Sequence, residues 1–447
     1  MENLGETLPL WFCIPFAGML LCIAVVPLIK AEWWEKHKPI VVAFWSLLFL
    51  IPFGIRYGAS LAVEKLTEVM VGDYITFIVL LFGLFCVAAN ISLEGDLAGS
   101  PKVNVLMLLI GTLLSSWIGT TGSSMLMIRP IIRANKWRAR KKQIVVFFIF
   151  LVSNIGGCLT PVGDPPLLMG FTNGIDFFWS LKLLPIMLIN TLLLLIIFYV
   201  LDRRAYRKDL AAGLRPVLKK NPEKLHITGA HNILFIGIIV GAVILSGILP
   251  KINPVFGEGP VIFGETFSFA SMIEIVLILI SSYLAFKTTD KHIREKNHFT
   301  WDAIEEVAVL FIGIFITMIP ALMILKSQGG KLGLTAPGQY FWITGALSSF
   351  LDNTPTYLVF FTTAASAGYK AGVSTIMGII PETILMAIST GAVFMGANTY
   401  IGNAPNFMVK SIAEENGIVT PSFFGYIVWS VCILIPVLMI DMLLFFI

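Results

Sequence analysis

The 447 residues are 57% hydrophobic and 13% charged, with a mean hydropathy of +0.87. Soluble domains carry about 25% charged residues, so this composition excludes a soluble enzyme or binding module and predicts an all-α polytopic protein held in a lipid bilayer. The net charge of +4 lies mostly between apolar segments; neither a nucleic-acid partner nor a cofactor is expected.

Apolar segments of spanning length, about 17–25 residues, fall at 10–29, 40–56, 72–92, 181–201, 231–249, 268–286, 303–325 and 422–446. The first has no basic region before it and no small-residue cleavage site after it, so it reads as a retained span rather than a signal peptide. Two longer segments, 143–171 and 376–410, cross with an interruption. In the first, the polar stretch from Ser153 to Phe171 is rich in Gly and Pro; in the second, Gly396 to Ile412 answers it without gaps, Gly157 falling on Gly396, Thr160 on Thr399, Gly163 on Gly402, Pro166 on Pro405 and Met169 on Met408. Irregular backbone at membrane depth survives only inside protein or beside a water-filled cavity. Both segments therefore read as broken helices. Two further stretches, 103–128 and 336–367, are apolar at both ends and polar in the middle (Ser115–Ser124 and Ser348–Tyr357), as re-entrant hairpins would be.

Lysine and arginine should be enriched in cytoplasmic loops. If the basic stretch 129–142 is cytoplasmic and each hairpin returns to its side of entry, loops 30–39, 93–102, 202–230 and 287–302 and the stretch Lys410–Pro421 join it. Only Arg56, Lys65, Lys182, Lys251, Lys326, Lys331 and Lys370 then fall on the other side. Both termini are expected outside, in a cell inner (plasma) membrane. Each half has five crossings and one hairpin, so the C-terminal half is inverted relative to the first: an N-terminal repeat over 1–201, a cytoplasmic linker over 202–230 with Pro216 and Pro222, and a C-terminal repeat over 231–447. Inverted repeats with discontinuous helices meeting near the midplane are a recurring plan of secondary transporters.

The breaks offer backbone carbonyls and Ser, Thr and Asn oxygens suited to a small hard cation, while half-helix N-termini favour anions. Two acids shift the balance toward a cation. Asp164 lies in the first break and Asp352 in the second hairpin tip, and a charge at such depth is costly and usually functional. The ordinary alternative for Asp164, followed by Pro165 and Pro166, is an N-cap. Asn154, Asn353, Asn398, Asn403 and Asn406 offer amide oxygens to an ion or, equally, satisfy loose backbone; for Thr160, Thr399, Ser123 and Thr356 the backbone role is favoured. Thr120, Thr121 and Thr354 complete the hairpin tips. Glu274, alone in an apolar span, is a possible relay. No histidine lies inside a span, and Trp33, Trp34, Trp179 and Trp301 sit near predicted boundaries as interfacial anchors. No phosphate loop and no Gly-x-Ser-x-Gly elbow is present, so neither ATP drive nor hydrolytic catalysis is expected.

Asn154-Ile-Gly-Gly-Cys-Leu-Thr-Pro-Val-Gly-Asp164-Pro-Pro, Leu351-Asp-Asn-Thr-Pro-Thr-Tyr357 and Gly396-Ala-Asn-Thr-Tyr-Ile-Gly-Asn-Ala-Pro405 together resemble the NhaD-type sodium/proton antiporters. These belong to the ion transporter superfamily that also holds arsenite permeases, citrate carriers and sodium-coupled dicarboxylate symporters. The resemblance implies scaffold and transport domains, a homodimer formed through the scaffold, and elevator-like alternating access. The paired Ser-Asn-Thr tips of the dicarboxylate branch are replaced by Gly119-Thr-Thr-Gly-Ser-Ser124 and Asp352-Asn-Thr-Pro-Thr356. Sodium/proton antiport is therefore the expectation, with Na⁺ (or Li⁺) and H⁺ as substrates and Na⁺ at Asp164, Asp352 and Asn154. The alternative is a sodium-coupled organic anion symporter or an arsenite-type permease.

Overall fold

In a long apolar helix the backbone bonds are satisfied internally, and the side chains decide which face meets lipid and which meets protein. The computed structural model describes residues 4–216 and 224–447; linker residues 217–223, Pro222 among them, lie outside the described residues. Ten helices in the described chain are long and apolar enough to cross a membrane. Their membership differs from the expectation at two places. The first hairpin arm, Pro101–Ile118, is long enough on its own. The second broken helix is not, because its arms, Glu382–Met395 and Ala404–Glu415, are each short.

The stretch 30–39 is helical rather than a loop. It forms the start of Ala31–Tyr57, where Lys38 pairs with Glu35 at 2.8 Å one turn away and lies 3.7 Å from Glu306 of another helix. Likewise Leu184–Ala211 runs on into the expected linker. The linker's far end forms a strand, His226–Thr228, antiparallel to Ser92–Glu94. There the Lys296 ammonium, 2.6 Å from Glu94, holds that carboxyl below its usual range.

The helices pack in sets. Ile14–Ile29, Ala31–Tyr57 and Asp302–Gln328 pack together, as do Ile75–Ala89, Asn232–Ile252 and Phe269–Thr288. In a second set Pro337–Ser348 packs on Glu382–Met395, Asn353–Ala365 on Pro165–Thr172 and Ala404–Glu415 on Thr120–Ala134, with Ile343, Leu347 and Phe407 left exposed at its edge. The stretch Lys142–Leu159 is 94% buried, against 28% for Asn232–Ile252, so the first broken helix runs through the middle of the protein.

One charged cluster is buried with it. Arg138 lies 2.7 Å from Asp202 and 3.5 Å from Asp209, with all three side chains fully enclosed. Gln143 and Asn104 donate to Asp202 at 2.8 and 3.0 Å, and Arg140 reaches Asp209 at 2.9 Å. This network ties the base of the first hairpin and the start of the first broken helix to Leu184–Ala211.

Candidate functional site

Both hairpins turn on short polar segments. In the first, Gly119 has φ 77°, a left-handed conformation open to Gly at little cost, and Thr120–Ala134 starts immediately after it. In the second, Asp352 precedes Asn353–Ala365. The breaks are built alike. Helix Lys142–Leu151 gives way to a single 3₁₀ stretch, Ile155–Leu159, and resumes at Pro165–Thr172; helix Glu382–Met395 gives way to Gly396–Asn398 and resumes at Ala404–Glu415.

The correspondence extends to individual bonds. Ser116 Oγ donates to the Gly156 carbonyl at 2.5 Å, and Ser349 Oγ to the Met395 carbonyl at 3.1 Å. Thr160 Oγ1 donates to the Ser116 carbonyl, and Thr399 Oγ1 to the Ser349 carbonyl. Each break also closes glycine on glycine: a Cβ on Gly163 would lie 2.2 Å from the Gly157 oxygen, and one on Gly402 2.5 Å from the Gly396 oxygen. The hydroxyls of Thr160 and Thr399 are thus spent on carbonyls at the ends of the first hairpin arms. Ser116 and Ser349 do the same work from the hairpins, which their sequence positions inside polar tips did not single out.

Asp164 is where the two halves meet. Its carboxylate accepts from Thr120 Oγ1 of the first hairpin at 2.9 Å, from Asn353 Nδ2 of the second hairpin at 2.6 Å and from Asn403 Nδ2 of the second break at 3.2 Å. Four helices begin at these residues: Thr120–Ala134, Pro165–Thr172, Asn353–Ala365 and Ala404–Glu415. Each N-terminus carries a fraction of a positive charge, so the site favours one anion, and the chain supplies it. Among the described residues no lysine or arginine hydrogen-bonds or ion-pairs with Asp164 or Asp352, and at the second break Lys410 only lies over the Tyr400 ring. The charge of Asp164 is softened by dipoles without being neutralised. All four side chains are buried.

A chain of amides continues from there. Asn403 Nδ2 also reaches Asn154 Oδ1 at 3.2 Å, Asn154 Nδ2 donates to Asn406 Oδ1 at 2.7 Å, and Asn406 Nδ2 donates to the carbonyls of Gly396 and Thr399. Asn398 stands apart, donating to Ser349 Oγ at 2.9 Å with its own Oδ1 unpartnered.

The capping role falls on the other acid. Asp164 occupies an N-cap position but its side chain makes no capping bond, whereas Asp352 Oδ1 accepts the Thr354 N–H at 3.0 Å. Thr356 Oγ1 donates to the Asp352 carbonyl, Thr354 Oγ1 lies 3.4 Å from Asn353 Oδ1, and Ser123 Oγ donates back to Gly111 of its own hairpin. Thr121 is half-buried at the first tip. Glu274 is buried in Phe269–Thr288, which packs on Asn232–Ile252 and Ile75–Ala89, and no hydrogen bond joins it to the Asp164 cluster.

Asparagine caps a helix about as well as aspartate. Asp352→Asn should therefore fold and keep its unfolding temperature in detergent; a marked drop would show that the charge of Asp352, and not only its capping oxygen, is needed.

Over residues 5–446 the chain matches the family described as "Putative citrate transport". It is also 25% identical over 345 residues to the "46 kDa membrane protein" of Mycobacterium leprae, an alignment covering 73% of this chain and 72% of that protein.

Proposed function

Since this chain belongs to the citrate transport family it matches along nearly its whole length, we propose that it is a secondary transporter exchanging Na⁺ or Li⁺ for H⁺, with Asp164 as the shared carboxylate. The observation that carries the reading is the uncompensated acid at the convergence of four helix starts. A buried carboxylate without a cationic partner is neutralised by a proton or a bound cation. Asn353 and Asn403, which direct N–H groups at Asp164, present oxygens in the same place when their amides turn over. Together with Asp164 and the nearby oxygens of Asn154 and Thr120 they make a shell that suits Na⁺ and competes with H⁺. Asp352 caps the second hairpin and adds negative field rather than a ligand.

The second reading, Na⁺-coupled uptake of an organic anion such as citrate, draws on the family's description. The site weighs against it: the position that the helix ends make favourable for an anion is occupied by the chain's own carboxylate. In either reading the two halves are inverted repeats, and the hairpins and broken helices, together with Leu184–Ala211 and the last helix that bond to them, move as a unit against the remaining helices.

The deciding measurement uses proteoliposomes with an imposed pH gradient and a lumenal pH dye. NaCl or LiCl should collapse the gradient, while KCl, citrate and succinate should not. Na⁺-dependent uptake of labelled citrate without any collapse of the gradient would replace antiport with symport.

A further inference from the structure

The last helix, Ile435–Phe445, carries another buried acid. Asp441 is fully buried, on the face shared by Val437 and Leu438, while Met439, Leu443 and Leu444 are exposed. Its partner is Asn190 of Leu184–Ala211, whose Nδ2 lies 2.8 and 2.7 Å from the two carboxylate oxygens and also donates to the Ile186 carbonyl. Among the described residues no lysine, arginine or histidine pairs with Asp441.

Asn190 is itself fully buried, and its Oδ1 has no hydrogen-bond partner. An orphaned amide oxygen beside an unpaired carboxylate is a place where acceptors outnumber donors, and a buried acceptor left unmade costs about 1–3 kcal/mol. One proton corrects both faults. A carboxylic acid and a primary amide close a ring of two hydrogen bonds, the acid O–H donating to the amide oxygen while the amide N–H donates to the acid's other oxygen. A sodium ion needs more oxygens than these two side chains hold.

We propose that Asp441 and Asn190 form an intramembrane proton-binding site, separate from Asp164, that takes up and releases one H⁺ in the transport cycle. The uptake stands on a buried carboxylate without a cationic partner beside an orphaned amide oxygen, the ring closing when the amide turns from the position in which its Nδ2 faces both carboxylate oxygens; its place in the cycle rests on the transport reading above. The titratable groups on the elements around it lie mostly at the far end of Leu184–Ala211. Cys158 of the first break lies within electrostatic reach of both Asp441 and Asp164, so charge at one acid is felt beside the other. Leu184–Ala211 contributes Tyr199 and, at its far end, Arg203, Arg204, Tyr206, Arg207 and Lys208 with the Asp202–Asp209 network already paired to Arg138; Pro337–Ser348 contributes Tyr340; the preceding turns of the last helix contribute Tyr426 and Cys432.

The test is infrared difference spectroscopy of the full-length protein in liposomes, between alkaline and acid pH, in wild type and in Asp164→Asn. A carboxylic-acid carbonyl band should be present in both, lost in Asp441→Asn and displaced in Asn190→Leu, which keeps every carboxyl and removes only the amide. Retention of the full band in Asp441→Asn, or an unmoved band in Asn190→Leu, overturns the site. In transport, Asp441→Asn should shift the pH profile and leave the Na⁺ concentration for half-maximal rate unchanged. Loss of the band with an unshifted profile would overturn the proton's part in the cycle. If no cation/proton exchange occurs in wild type, the antiport reading fails while the infrared result still decides the site.

Discussion

Asp164→Asn should reduce ion-coupled transport to the background of protein-free liposomes while the protein remains monodisperse in detergent. The substitution keeps the shape and removes the charge around which Thr120, Asn353 and Asn403 are arranged. It also places an N–H group against a donor: at one of the two oxygen positions an amide nitrogen would face Thr120 and Asn403 or, turned over, Asn353 Nδ2 at 2.6 Å. That mismatch costs about 1–3 kcal/mol, less than the roughly 5–15 kcal/mol by which folded proteins are stable. Lost transport would therefore report the site and not the fold. Na⁺-dependent protection against thermal unfolding, measured by tryptophan fluorescence, should vanish with it. Full transport in this variant would remove Asp164 from the mechanism.

Arg138→Leu should act on the fold instead. The guanidinium is enclosed with Asp202 and Asp209, and removing one partner of a buried ion pair while leaving the others costs about 3–5 kcal/mol. Arg140 still reaches Asp209, but Asp202 keeps only the amides of Gln143 and Asn104. The expected result is a broad aggregate peak in detergent size exclusion and a lowered unfolding temperature. Arg138→Leu combined with Asp202→Leu should recover part of the loss, because the orphaned charge is gone. Unchanged stability in the single variant would show that water reaches the cluster.

The spans and breaks were legible because their signals are local: apolar runs of fixed length, and Gly, Pro and Asn where an apolar run should continue. The register of the two breaks, from Gly157 on Gly396 to Met169 on Met408, could be read without knowing any contact, and the paired bonds of Thr160 and Thr399 follow it. Which acid caps a helix and which faces the other half was not legible. Asp164 precedes two prolines and has the stronger capping signature, yet donors from Asn353 and Asn403 draw its side chain away, and those donors are distant in sequence. The basic stretch 129–142 reads as cytoplasmic, but Arg138 within it is buried because Asp202 and Asp209 come to it from a later helix. Asp441 did carry a visible signal, an acid inside an apolar span, but its pairing with Asn190 spans 251 residues.

The bonds that gather on Asp164 also order events during synthesis. Asn353 and Asn403 follow it by 189 and 239 residues, and Asn406 follows Asn154 by 252. At roughly 5–20 residues per second, the ribosome leaves the first broken helix without these partners for some 10–50 seconds after it has entered the bilayer. Through that interval an acid and an unwound backbone must be sheltered by the insertion machinery or by the neutral form of the carboxyl. The N-terminal half is thus an unfinished client until the last two hundred residues arrive, and a chain that stalls between its halves presents membrane proteases with the very segment that, once completed, lies deepest in the protein.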